Sequence, residues 1–571
     1  MPGYTHSYLT DPIYDALLAA KDKTPWARGA SMFDVRASDR PEFGDYAVNL
    51  AMVVAKEKGV PPREVAARLV QELEGLPSTG IDRVEVAGPG FINLFLAADA
   101  VQEGLRKMLA DGAEYGKWGF GHHRKLQVEF VSSNPTGPLT VGHGRQAVLG
   151  DVLASLHSEV GYDVKREYYF NDEGNQIDLL AESLWIRYRE LFGESRDIPD
   201  GGYQGEYLKD LAREVRASLT VEYPAFDEEA QTVFRREAVD RISASIRDDL
   251  ASLGIRFDVF FSEATLHREG KVEDALSQLR AHQAVYEEDG AVWLRADHVP
   301  GGKNSVLIRS DGRPTYLMVD IAYHIDKRAR GFDQVVNVQG TDHVVEQACV
   351  KAALAALGFD PEFLRYGVHQ FVSLKEGGEV QRMSTRAGRF VTLRDLLDEV
   401  GPDIVRYFMI SRKPEAHLDF DLDLAKSQSL DNPATYIQYA HTRISAVFRK
   451  AETAALFRKA AAAGGSQRLP ADADWARVDL SPLVEREELD LIKRLDLFPA
   501  TIYLAADGFA PHLLPEYALG LARAFHGYYD RYRVLSDEEA TTLARLALLR
   551  GIGLVLRRSL RMLGMAAPEE M

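Results

Sequence analysis

Two stretches gather side chains able to handle a phosphate chain. In VEFVSSNPTGPLTVGHGRQ, Pro135, Gly137, Pro138 and Gly142 keep the backbone bare between a short strand and a helix. His143 and Gly144 stand where that helix begins, and the free N–H groups and dipole of a helix start attract phosphate. In GEVQRMSTRAGRFVTLRDLL, a glycine-bounded loop presents Arg382, Ser384, Thr385 and Arg386. Guanidinium and hydroxyl donors on a loop that can close follow negative charge as it moves. Taken alone, the first stretch is more often a tight turn with a capping histidine, and the second a solvated basic loop. Occurring in this order, about 240 residues apart, they point together to chemistry on a nucleoside triphosphate.

The elements that must carry these loops follow from hydrophobic period. LQVEF alternates as a strand. HGRQAVLGDVLASLHSEVG lines up Val148, Leu149, Val152, Leu153 and Leu156 on one helical face, and DVKREYYF reads as the next strand. Strand, loop, helix, strand opens a parallel doubly wound sheet. The rhythm returns at PTYLMVDIAYHID, DQVVNVQGTDH and EQACVKAALAALG. A charged, mostly helical stretch at about 175–300 interrupts it and reads as an insertion between two halves of one sheet.

Residues 1–109 form a smaller block. Helical patterns at YAVNLAMVVAKEKG and PREVAARLVQELEG, and alternation at DRVEVAGPG and FINLFLA, predict an α+β unit. The sheet-bearing block spans 120–425. Residues 430–571 read almost entirely as helix, with an Ala/Gly-rich loop near AAAAGGSQRLPADAD, which predicts a bundle.

Composition bounds the function. With 571 residues, 46% hydrophobic and 27% charged, the chain is globular, neither disordered nor fibrous. The helical LARLALLRGIGLVLRRSL is broken by Arg545, Arg550 and Arg557, so a membrane partner is not expected. The start of the chain carries Asp11 and Asp15 and has no readable signal segment. A single cysteine, Cys349, excludes internal disulfides and multi-cysteine metal sites and suits the cytosol. Lys and Arg number 68 against 86 Asp and Glu, a net charge of −18. The surplus lies in the first 430 residues, because 431–571 holds 18 of each sign. The total argues against broad nucleic-acid binding without excluding a local basic groove.

The combination resembles the arginyl-tRNA synthetases of class I. PTGPLTVGHGR is similar to their HIGH signature and QRMSTRAG to their KMSKS loop. DNPATYIQYAHTRISAVF and the closing LARLALLRGIGLVLRRSLRMLGMAAPEEM resemble the anticodon-binding bundle; GDYAVNLAM and AGPGFINLFLA resemble the extra N-terminal domain. The resemblance covers nearly the whole chain. It implies an α/β fold: a Rossmann-type parallel-sheet catalytic domain with a helical insertion, an N-terminal α+β domain and a C-terminal all-α bundle.

It further implies arginyl-adenylate formation from arginine and MgATP, then transfer to the terminal adenosine of tRNA(Arg), by a cytoplasmic monomer with no zinc and no metal ligands of its own. Matched residue by residue, catalysis falls to His143, Thr140, Arg382, Ser384 and Arg386. ATP falls to Pro135, Thr136, Gly137, Pro138, Gly142, Gly144, Gly340, Asp342, His343, Met383 and Thr385. The YLxxD segment assigns Asp320 to the guanidinium and Tyr316 to packing along the substrate, with Glu129, Ser132, Asn134 and Gln339 completing the arginine site. A planar guanidinium wants a fixed carboxylate, and residues four apart on a helix share a face. Phe91 and Asn93 are the candidates against the tRNA D-loop; Tyr436, Arg550, Arg557 and Arg558 are those against the anticodon arm, with Arg561 in the same crowded stretch.

Two departures stand out. Thr140 replaces the first histidine of HIGH, and Thr385 followed by Arg386 replaces the second lysine of KMSKS; Gly137 occupies the position where many relatives carry a lysine. The rival readings are a class I synthetase for glutamate, glutamine or cysteine, and a tRNA-binding paralogue without activity.

Overall fold

A computed structural model describes residues 7–28, 33–38, 40–76, 80–172, 174–295, 299, 304–380, 391–453 and 469–571. Arg382, Met383, Ser384, Thr385, Arg386 and most of the Ala/Gly-rich loop lie outside the described residues.

The N-terminal unit contains α1 (Thr10–Lys23), β1 (Val35–Ala37), β2 (Tyr46–Val48), α2 (Leu50–Lys58), α3 (Pro62–Glu74), β3 (Ile81–Ala87) and β4 (Phe91–Leu96). The strands pair antiparallel in the order β1-β2-β4-β3. α3 buries Val65, Ala66, Leu69 and Leu73, one helical face, after a proline in its first turn. The helix expected across YAVNLAMVVAKEKG begins only at Leu50. Tyr46 and Val48 are buried on either side of Ala47, the inward alternation of a strand, so β2 takes the segment's start.

The catalytic unit opens with α4 (Ala98–Asp111), β5 (Lys125–Glu129), α5 (Val141–Glu159) and β6 (Asp163–Phe170). Then come α6 (Asn175–Glu190), α7 (Tyr207–Ser218), α8 (Glu228–Ser252) and β7 (Val259–Ser262). α9 (Ala264–Arg268), α10 (Lys271–Ala281), β8 (Val285–Glu288), β9 (Ala291–Leu294) and β10 (Ser305–Ile308) lead to α11 (Tyr316–Ala329) and β11 (Gln334–Gly340). α12 (Val344–Ala356), β12 (Leu364–His369), β13 (Val372–Glu376) and β14 (Glu379–Val380) follow.

Five of these strands form one parallel sheet, ordered β12-β11-β5-β6-β7. The chain leaves β5 toward β6 and β7, then returns on the other side as β11 and β12. The gap between the ends of β5 and β11 is therefore the topological switch point, where ligands bind in open α/β sheets. β5 and β11 are buried along most of their length, as a strand covered on both faces must be.

The stretch at 175–300 is less helical than its charge suggests. Val259–Ser262 is the outer strand of the parallel sheet, and β8 and β9 form an antiparallel hairpin, with β10 added to β9. The hairpin turns at Asp289 (φ +51°) and Gly290 (φ +76°), the pair of left-handed residues that tight hairpins favour.

Beyond the sheet lie α13 (Leu393–Val400), α14 (Pro402–Ile410), β15 (Leu418–Asp421) and α15 (Leu422–Lys426), then the bundle helices α16 (Pro433–Thr453), α17 (Arg486–Asp496), α18 (Phe498–Asp507), α19 (Leu513–Arg531) and α20 (Glu539–Met562). The bundle and the catalytic sheet share one core. α4 belongs to it as well: Val101, Leu105, Met108 and Leu109 pack there, whereas the N-terminal core holds buried residues only from Leu9 to Leu94. The buried residues of the N-terminal core thus end before α4. The helix is drawn away because its apolar face meets the bundle, with Gly551 of α20 leaving room for Met108.

Candidate active site

The loop after β5 is held in an unusual backbone path. Val131 (φ +68°) and Ser132 (φ +40°) both adopt left-handed conformations, strained for residues with a side chain. Fixed partners hold them there. The Ser132 hydroxyl donates to Glu129 (3.0 Å) and accepts from the Tyr169 N–H (3.1 Å). The Tyr168 hydroxyl accepts from the Ser133 N–H (3.1 Å) and donates to the Ser133 carbonyl (2.8 Å). Asn134 donates to Gln176 of α6 (2.9 Å).

The loop then enters α5 with Thr140 as N-cap. The His143 ring turns back, and its Nδ1 accepts from the Thr140 N–H at 3.0 Å. A backbone N–H only donates, so the ring proton of a neutral His143 sits on Nε2. Burial lowers its pKa to about 4, with His369 nearby adding to the effect. At neutral pH His143 is thus an uncharged donor beside the free N–H groups of the helix start.

A cavity of about 790 Å³ opens onto Thr136, Gly137, Pro138, Thr140 and His143. Its opposite wall is residues 201–207, which sequence reasoning missed. Tyr207 donates to the Thr136 carbonyl (2.6 Å), and a Cβ at Gly137 would meet its ring at 3.3 Å. The glycine- and tyrosine-rich GGYQGEY was the available signal. Of the described residues expected to touch ATP, Thr136, Gly137 and Pro138 line the cavity, whereas Pro135, Gly142, Gly144, Gly340, Asp342 and His343 do not. Pro135 is buried. Gly144 lies under Leu393, which a Cβ would meet at 2.8 Å, so its smallness serves the contact between α5 and α13.

The other side of the switch point is built by α11 and β11. Asp320 is half-buried, and its Oδ1 lies 3.1 Å from His324 Nδ1. Burial opposes its ionisation, but His324, with Lys327 and His343, outweighs that and holds the carboxyl below its usual range. Tyr316, one turn earlier, is 62% exposed. Glu129 is less free than expected: buried, it already receives Lys327 and the Ser132 hydroxyl. Gln339 accepts from Gln347 (3.0 Å). Gly340 ends β11 and Asp342 leads on to His343, whose pKa is raised by its hydrogen bond to Glu346 against the effect of burial, with Asp342 and Asp320 adding to the rise.

The tRNA candidates divide. Phe91 is 40% exposed, but Asn93, two residues on in β4, is 4% exposed inside the sheet and presents nothing to a partner. Tyr436 is half-buried, edge-on to His526. Arg550, Arg557 and Arg561 line a cleft of about 550 Å³ with Lys117. Arg558 lines the same cleft but is buried and engaged, bonded to Glu159 of α5 and set over the Phe498 ring, which ties the bundle to α5.

A parallel sheet whose switch point joins a TVGH helix start to a carboxylate-bearing wall defines a class I aminoacyl-tRNA synthetase catalytic domain. Family profiles agree: "tRNA synthetases class I (R), catalytic domain" matches residues 104–411, "Arginyl tRNA synthetase N terminal domain" 12–96 and "DALR anticodon binding domain" 437–571. The arginine–tRNA ligase of Thermotoga maritima is 44% identical over 542 residues, 94% of this chain and 96% of that one. That of Carboxydothermus hydrogenoformans is 43% identical over 94% of each chain. The solved arginyl-tRNA synthetase of Thermus thermophilus is 25% identical with a TM-score of 0.75, covering 99% of this chain and 100% of that one. The chain belongs to the arginyl-tRNA synthetase family.

Proposed function

We propose an assignment of roles within this pocket for the reaction of the family. The chain is an ATP-dependent ligase that joins L-arginine to tRNA(Arg) through arginyl-adenylate, releasing AMP and pyrophosphate. A carboxylate oxygen of arginine attacks the α-phosphorus, and the bond to the departing pyrophosphate breaks. A hydroxyl of the terminal adenosine then attacks the acyl carbon, and AMP leaves. His143, through Nε2–H, and the first turn of α5 hold phosphate oxygens; Thr136, Gly137, Pro138, Thr140 and Gly142 shape their approach, and Gly340, Asp342 and His343 meet the adenosine. Asn134 and Ser132 orient the amino-acid end, with Glu129 behind them.

Asp320 receives the guanidinium, and Tyr316 packs along the substrate. One observation carries this assignment: a half-buried carboxyl kept ionised against desolvation by His324. Arg382 and Arg386 meet the leaving pyrophosphate. Mg²⁺ is taken to arrive on the triphosphate as MgATP, which the chemistry of a nucleoside triphosphate supports. The N-terminal unit, through Phe91, is assigned to the D-loop, and the bundle, through Tyr436, Arg550 and Arg557, to the anticodon arm. One copy carries all these parts, which supports action as a monomer, in the cytoplasm where tRNA is charged. Among the described residues no helix is long and apolar enough to cross a membrane.

The test is Asp320→Ala. Stranding a guanidinium without its carboxylate costs about 3–5 kcal/mol, so KM for arginine should rise about a hundredfold or more. KM for ATP should change little. Equal changes in both would remove Asp320 from the arginine site.

A further inference from the structure

Across the switch point, five side chains run in sequence from Glu129 to Asp320, the last step a close contact between His324 and the Asp320 carboxylate. Its three inner members are sealed from water: Lys327 and His324 are 0% exposed and Asn337 is 1% exposed. Asp320, His324 and Lys327 come from α11 at positions i, i+4 and i+7, one helical face. Asn337 stands opposite Glu129 across β11 and β5.

The direction of every proton in the line follows from one end. The Lys327 ammonium donates to Glu129 and to Asn337 Oδ1 (3.0 Å), and its Nζ lies 4.2 Å from the Tyr323 ring centre. An ammonium has three donors and no acceptor, so the Asn337 amide must turn its oxygen to Lys327. Its NH₂ then faces His324 Nε2 at 3.1 Å. Nε2 accepts, which leaves the proton of a neutral ring on Nδ1. That N–H is hydrogen-bonded to the Asp320 carbonyl oxygen (2.8 Å), and the same Nδ1 lies 3.1 Å from Asp320 Oδ1, so the ring is held by the backbone of Asp320 and set against its carboxylate.

We propose that Lys327, Asn337 and His324 are positioning residues for amino-acid selection, fixing the Asp320 carboxylate in one orientation and tying it to Glu129. This rests on the assignment of Asp320 to the guanidinium. A planar guanidinium pairs with a carboxylate through two parallel bonds, so the plane of the carboxylate matters as much as its charge. In the assignment above neither end of the line is given to ATP, and so the line bears on arginine alone.

Two amides at position 324 separate positioning from mere packing. His324→Asn puts an N–H donor where Nδ1 stands; His324→Gln puts it where Nε2 stands, within reach of Asn337 but not of Asp320. Aminoacylation of tRNA(Arg) by the full chain is measured with arginine and ATP varied in turn. His324→Gln should raise KM for arginine about tenfold or more and leave KM for ATP within about twofold, while His324→Asn stays near the parent. Asn337→Leu, which cuts the line from β11 without touching α11, should shift KM for arginine in the same direction and stands in if His324→Gln does not fold. Two amides that behave alike, or KM values for arginine and ATP that move together, overturn the proposal. Asp320→Ala is run beside them. If it spares KM for arginine, the assignment of Asp320 has failed; if it raises that KM while every variant of the line leaves it unchanged, the assignment stands and the positioning role falls.

Discussion

Thr140 and Thr392 face each other in an isolated antiparallel bridge, and beside it the Leu393 N–H donates to the Leu139 carbonyl at 2.7 Å. Each threonine is the N-cap of its helix. The start of the phosphate-facing helix α5 is thereby tied to the start of α13, the first helix after the arginine-bearing loop. A departure from the family signature and the exit of its second motif are physically one junction.

That junction makes a first prediction. The Thr392 hydroxyl accepts from the Asp395 N–H (3.0 Å), and Asp395 returns a bond to the Thr392 N–H (3.0 Å). Thr392→Ala removes the cap at a cost of about 1 kcal/mol. The unfolding free energy from urea titration should fall by that amount, and adenylation turnover should drop while KM for arginine holds. A variant with parental turnover would show that the bridge alone secures the junction.

Helix α5 also makes a packing prediction. A Cβ on Gly150 would meet Phe130 Cγ at 2.1 Å, far inside contact distance, whereas one on Gly553 would meet only a methyl of Ile444 at 3.2 Å. Overpacking a filled core costs about 1–3 kcal/mol. Gly150→Ala should lose at least that in urea unfolding, and Gly553→Ala clearly less. Equal losses would mean that Phe130 can move aside.

The pattern of what sequence revealed has physical causes. The β5–α5–β6 unit was legible because a buried strand, a bare loop and a long apolar helix each carry a local signal. β7 was not, since four residues, VFFS, inside a charged helical stretch have too little period to mark a strand. The Asp289-Gly290 turn was a readable hairpin mark passed over. Asn93 was misjudged because Ile92, Asn93 and Leu94 are buried in succession, so both faces of β4 are covered there and alternation gives no sign that Asn93 is enclosed. The pairing of Glu129 with Lys327 spans two elements and leaves no local trace. Functional types were therefore visible where chemistry is local. Engagement of those residues by distant partners was not.

Stability should also depend on acid. His143 and His157 both have pKa values lowered to about 4, by burial first. His157 is buried, with its Nδ1 2.7 Å from the Leu153 carbonyl. The unfolded chain takes up protons as pH falls through about 6.5, while the folded chain does so only near the lowered values. Stability is therefore complete above the unfolded pKa and declines as pH falls toward 4. His157→Gln should flatten this decline, recovering about 2 kcal/mol of the loss between pH 6.5 and 5. Urea unfolding at both pH values checks it; parallel curves for parent and variant would rule out His157 as a source.

The last prediction concerns the absent lysine. Adenylate formation moves negative charge onto pyrophosphate, and a preorganised cation aimed at that charge lowers the barrier. The family's second KMSKS lysine is replaced by Thr385 and Arg386, and Gly137 offers no side chain in its stead. His143, held neutral, supplies a hydrogen bond but no charge. Arg382 and Arg386 are the cations that the motif itself retains, on the segment between Val380 of β14 and the Thr140–Thr392 bridge. If they stabilise the transition state, Arg386→Ala should lower the turnover of ATP–pyrophosphate exchange, measured with tRNA present, by about a hundredfold or more. KM for ATP should move comparatively little, because the interaction strengthens only as the bond breaks. Arg386→Lys should restore part of the rate, since an ammonium keeps the charge but loses the two-pronged grip. Near-parental turnover in the alanine variant would mean that the compensating charge comes from outside this loop, from the insertion or from bound tRNA.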